Sequence, residues 1–396
     1  MLVDNQVYCL HLNVIVILNL FSPCGRLFNI MQNNKNKIIL GVLVLLVAIG
    51  VVYGMYLFKN SVFSANNSQA DKDLELVDLT QQLNMNNFDE ATKIAENVSN
   101  RDSKDVNNLV LLASVYANRG SAEFKEKEYG EKALQTIKKA LALDPRNSDA
   151  YRVQGYAYEI MSLWAQSISS YNKSIEIDPK NARAFVNRGH VYNLLGNLDT
   201  AEEDYRGALK IDPNEGDALF NLGRISFSNN KKTEARAFLN RALENTSAAF
   251  RKADIYQVLA VVALAEENFS EARTNVNQSI ELNGQSATAY VTRGEISRAE
   301  LAVKMFKNDK IPDFQVRVDS IVADASKATS ININQTGAMV LVAKLSVLLG
   351  EYDQALKVYE KALSMIDADI TLGAKEKNAT RDEINKSIKI VKDNTK

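Results

Sequence analysis

Residues 182–215 read ARAFVNRGHVYNLLGNLDTAEEDYRGALKIDPNE, and this stretch decides the fold. The preceding stretch, 148–181, is SDAYRVQGYAYEIMSLWAQSISSYNKSIEIDPKN, and the two align without a gap. The next opens at Gly216 as GDALFNLGRISFSNNKKTEARAFLNRALENTS, with Ser247 where a proline would fall. Of the five prolines in the chain, Pro145, Pro179 and Pro213 sit 34 residues apart. A fixed period of that size marks stacked supersecondary units, none of which buries its apolar face alone. Glycine recurs at the eighth place of the unit, at Gly155, Gly189 and Gly223. Small residues recur at the twentieth (Ser167, Ala201, Ala235) and the twenty-seventh (Ser174, Ala208, Ala242). Tyr171, Tyr205 and Leu239 hold the twenty-fourth. Paired helices approach closely only where one side chain is small. The large side chain then fills the wider gap towards the next pair. Proline after Asp144, Asp178 and Asp212 stops the second helix, because a residue before proline is pushed out of helical geometry.

This pattern resembles the tetratricopeptide repeat. The resemblance implies an all-α fold, an α-solenoid of helical hairpins. It covers about eight units over 72–368, at 72–105, 106–147, 148–181, 182–215, 216–252, 253–286, 287–335 and 336–368. The outer units are degenerate, as caps tend to be. Two of them carry insertions, a charged stretch from Ser121 to Glu128 and another at Met305–Val318. After the repeats, 369–396 is expected to supply a capping helix, since Ile384, Ile388 and Val391 share one helical face.

Ahead of the repeats the composition changes. Residues 38–58, IILGVLVLLVAIGVVYGMYLF, carry no charge. At helical rise they would extend about 31 Å, close to the hydrocarbon thickness of a bilayer. They are flanked by a basic, polar stretch at 31–37 and a polar linker at 59–71. The expectation is one transmembrane helix preceding the solenoid. By the distribution of basic residues, the N-terminus is then cytoplasmic and the repeats are exported. Residues 1–30 read as an N-terminal extension, with Met31 as an alternative start.

Composition excludes several functions. Forty-seven basic and 48 acidic residues leave a net charge of −1, so no global field draws nucleic acid. Both cysteines, Cys9 and Cys24, precede the repeats, which leaves the repeats without thiolate metal ligands or disulfides. Of the two histidines, His11 and His190, neither has a catalytic set around it in the sequence, and there is no phosphate-binding glycine loop. The chain is read as not an enzyme, without cofactor, metal or small-molecule substrate.

In the family that the pattern resembles, the first helix of each hairpin lines a concave groove. The positions that usually face it fall here on Arg152 and Tyr156, then Arg183, Asn187 and His190, then Asn221 and Arg224. Asn187 and Asn221 share one repeat position. Their amides would bond the backbone of an extended peptide. The three arginines would meet its carboxylates. A chaperone-tail clamp fits less well, because Val186 stands at one of its polar positions and the basic partners do not line up. The expected partners are therefore proteins or peptide segments, with the membrane contacted through 38–58. Two functions follow. The first is an anchored scaffold for assembly of an envelope, secretion or pilus complex. The second is a cytosol-facing import or chaperone-docking receptor on an organelle membrane.

Overall fold

The structure is a computed structural model, and it describes residues 67–85, 87–369 and 374–394. Among these residues there is no strand. The helices in chain order are α1 (Asn67–Asn84), α2 (Phe88–Arg101), α3 (Val106–Glu123), α4 (Glu126–Leu143), α5 (Ser148–Ile160), α6 (Trp164–Ile177), α7 (Ala182–Leu194), α8 (Leu198–Ile211) and α9 (Gly216–Ser228). They continue as α10 (Lys232–Glu244), α11 (Ala249–Ala265), α12 (Phe269–Leu282), α13 (Ala287–Phe306), α14 (Phe314–Ile331), α15 (Thr336–Leu348), α16 (Tyr352–Met365) and α17 (Ala374–Asn394). From α3 to α16 each odd-numbered helix pairs with the next as a hairpin, and each hairpin packs on its neighbour. The described residues thus form an array of stacked helical hairpins.

One turn chemistry repeats between hairpins. Asp144, Asp178 and Asp212 end their helices, and each Oδ1 accepts the backbone N–H two residues on, from Arg146, Lys180 and Asn214. Asn283 and Asn332 do the same without the proline. This side-chain turn, as much as the ring of the proline, terminates the helix. Three residues after each aspartate comes the next N-cap. Asn147 and Asn181 accept from the N–H groups of Ala150 and Ala184, satisfying donors that the first helical turn leaves open.

Within hairpins the glycines act as close-approach points. A Cβ on Gly155 would lie 2.6 Å from the Tyr171 ring, and one on Gly189 would lie 3.0 Å from the Tyr205 ring. Both tyrosines are fully buried. Tyr205 clusters with Ala218 and Leu222 of the following hairpin, so one ring fills the seam inside its own hairpin and the seam to the next.

The inserted stretches are absorbed as extra helical turns. Helices α3 and α4 have 18 residues each, and α13 and α14 have 20 and 18, against 13 and 14 in α5 and α6. Helix α1 begins at Asn67, inside the stretch read as linker, because Gln69, Ala70 and Lys72 are good helix formers. Helix α17 buries Ile384 and Val391 against the last hairpin.

The membrane expectation is corrected. Among the described residues, no helix is long and apolar enough to cross a membrane, so the reading as a single-pass protein with exported repeats is not supported. The long helices each pack one face and keep charges on the rest, as α13 does with Arg293, Glu295, Arg298, Glu300 and Lys304. Residues 38–58, on which that reading and the proposed membrane contact rested, lie outside the described residues, as does the extension at 1–30.

Candidate peptide-binding face

First helices touch first helices: α3 meets α5, α5 meets α7, α9 meets α11, α11 meets α13, and α13 meets α15. Successive second helices make no comparable contact among the described residues. The first helices therefore lie on the tighter, inner side of the stack, and their outward residues form its inner face.

The seven residues expected to line that face all lie on α5, α7 and α9, but they are not equally available. Arg152 is held by Asp149 one turn earlier, at 2.8 Å. Burial and the nearby Glu159 carboxylate push the Tyr156 phenol up to about 12. Arg183 is exposed, and its positive field reaches both Asp149 and Glu215. Arg224 is exposed, with its guanidinium 5.9 Å from the Phe220 ring centre. The two asparagines differ. Asn221 donates to the Asp217 carbonyl of its own helix at 2.9 Å, whereas the Asn187 amide has no side-chain hydrogen bond to another described residue. Their shared repeat position does not make them equivalent, since only Asn187 offers its whole amide to a ligand.

His190 is the best-placed group. Its Nδ1 lies 2.8 Å from Oε1 of Glu159 on the neighbouring first helix. Glu159 is buried and accepts the Tyr171 hydroxyl at its other oxygen, at 2.7 Å. The carboxylate thus ties α5, α6 and α7 together and fixes the imidazole ring. Nε2, on the far side of that ring, is the nitrogen left for a ligand.

Two networks were not anticipated. Asp149, Arg183, Asp217 and Arg251 alternate in sign at 34-residue intervals, and Arg251 bonds Asp217 across hairpins at 2.9 Å. That alternation was visible in the sequence once the repeats were aligned. Beside it, burial and the Asp217 charge raise the Glu215 carboxyl above its ordinary range, and burial raises Asp254. The second network lies inside hairpins. Arg188 grips Asp204 with two bonds, at 2.9 and 2.6 Å. Arg293 holds Asp324 in the same way. Both aspartates are almost fully buried. The same two repeat positions carry Gln154 with Ser170, which are hydrogen-bonded, and the apolar Leu222 with Phe238. These arginines hold a hairpin together and are not free for ligands. Among the described residues, no group of three or more histidine, cysteine or acidic residues could hold a metal.

Tetratricopeptide-repeat family models match residues 161–215, 186–250 and 336–369. The Cut9–Hcn1 heterotetramer of the APC/C is similar in structure, with TM-score 0.60 and 14% identity over 83% of this chain. This chain spans 59% of the length of that one. A tetratricopeptide-repeat protein from Parabacteroides merdae aligns with TM-score 0.48 and 18% identity, covering 69% of this chain and 98% of that one. PilW, a type IV pilus biogenesis factor, aligns with TM-score 0.45 and 19% identity, covering 56% and 95%. No curated protein sequence matches. Helical hairpins in a 34-residue register, their close-approach glycines and the family models over 161–250 and 336–369 show that the chain carries tetratricopeptide repeats.

Proposed function

We propose that the inner face of α5, α7 and α9 binds an extended peptide segment of a partner protein, so that the array serves as a scaffold for protein assembly. The observation that carries this is the pair Asn187 and His190 on α7. One has an amide without a partner among the described residues, and the other an imidazole fixed by Glu159 with Nε2 to spare. They are three residues apart on α7, about one helical turn, so both present polar groups on the same side of the helix. Arg183 and Arg224 flank them and favour segments that carry carboxylates. The family supports the same reading, since its fold is typically a non-catalytic interaction scaffold.

The test is selection of peptides from a random display library on the full chain, with affinities then measured by fluorescence anisotropy. Asn187→Ala combined with His190→Gln should weaken the selected peptides about tenfold or more, with the thermal midpoint changing little. Unchanged affinity, with crosslinks mapping away from α5, α7 and α9, would overturn the assignment.

A further inference from the structure

A second surface lies away from that face, where α14, α15 and α16 meet. Aligned on its terminal Asn332 with the helices ending at Asp144, Asp178 and Asp212, α14 places Ala325 at the seam position held by Ile137, Tyr171 and Tyr205. The other hairpins have Leu239, Val276 and Tyr359 there. All of these side chains are buried, and Ala325 is the smallest. The missing bulk has two consequences. Leu341 reaches back from the next hairpin to Gly294, taking the contact that Tyr205 makes with Gly189. On the outer side an open cleft of about 540 Å³ remains. Ala338 and Val342, which line it, are the repeat equivalents of Ala218 and Leu222, the residues that pack with Tyr205. Met339, Val358 and Ile333 extend the apolar wall, and Ile333 is 73% exposed. One charged group lines the cleft, the ammonium of Lys361. It is exposed and makes no ion pair with a described residue.

We propose that this cleft receives an aromatic side chain flanked by a carboxylate, presented by a segment of a partner protein. Two of its wall residues, Ala338 and Val342, correspond to residues that cluster with a buried tyrosine elsewhere in the array, so the complementary group is a ring supplied from outside. Lys361 sets the sign of the flanking charge. The surface is separate from the inner face and does not depend on it.

The test uses the full chain with labelled methionine and valine methyl groups and three tripeptide probes, acetyl-Glu-Tyr-Glu-amide, acetyl-Gln-Tyr-Gln-amide and acetyl-Glu-Ala-Glu-amide. The first should shift the methyl signals of Met339, Val342 and Val358. It should bind roughly threefold tighter than the second, with little or no binding of the third. Lys361→Met should remove the difference between the first two. Ala325→Phe should fill the cleft, and Ser330→Arg, at an exposed rim position, should block it without touching the core. Each should abolish the shifts while leaving peptides selected on the inner face bound as before. Shifts elsewhere, equal binding of the alanine probe, or binding that survives both blocking variants would overturn the proposal. So would concentration-dependent dimerisation that Ser330→Arg abolishes, since the occupant would then be a second copy of the chain.

Discussion

Tyr171 and Tyr205 stand at one repeat position, both fully buried, and their hydroxyls have opposite circumstances. That of Tyr171 donates to the buried Glu159. That of Tyr205 has no hydrogen-bond partner among the described residues. A net hydrogen bond to a charged group contributes about 1.5–3 kcal/mol, and a buried unpaired hydroxyl costs about 1–3 kcal/mol. Tyr171→Phe should therefore destabilise by about 1–3 kcal/mol, and it should also loosen the ring of His190 through Glu159. Tyr205→Phe should be neutral or stabilising. Chemical denaturation of the two variants checks this, and equal losses would show that the hydroxyls do not act as described. Asn187 and Asn221 teach the same lesson. Identical residues at identical register differ in availability because Asn221 is bonded to its own helix and Asn187 is not.

At the scale of the hairpin, the buried clasp comes in apolar, neutral polar and ionic forms. Arg293 and Asp324 are the ionic form in α13 and α14, and Leu222 and Phe238 the apolar form in α9 and α10. Removing one partner of a buried ion pair leaves an uncompensated charge, at a cost of about 3–5 kcal/mol. Replacing both by packed apolar groups is often neutral. Arg293→Leu alone should therefore destabilise by about 3–5 kcal/mol. Arg293→Leu with Asp324→Phe should recover most of that loss. A double-mutant cycle measures the coupling, and strictly additive losses would contradict it. The clasp was hard to find in the sequence, because its chemistry changes from one hairpin to the next while its position stays constant.

Across residues 79–396, which form one compact unit, each hairpin contacts mainly its neighbours. Such arrays behave as a sum of unit stabilities and nearest-neighbour couplings. Gly155→Ala places a methyl 2.6 Å from the Tyr171 ring and should cost about 1–3 kcal/mol. Hydrogen exchange should then rise in α5 and α6 and fall off with distance, leaving α15 and α16 nearly unchanged. A uniform rise along the chain would mean that the array unfolds as a single unit.

What the amino-acid order determined by itself was everything governed by local geometry. Where helices end follows from aspartate and proline in fixed register, and where they touch follows from glycine and alanine at fixed spacing. These are properties of a few neighbouring residues and survive in any context. The tertiary structure alone decided which groups remain free. Glu159 becomes a hub because Tyr171 and His190 reach it from two other helices, and the cleft beside the small Ala325 is walled by Ala338, Met339 and Val342 of the following hairpin. Availability and empty space depend on what packs from elsewhere in the chain, and no local spacing records that.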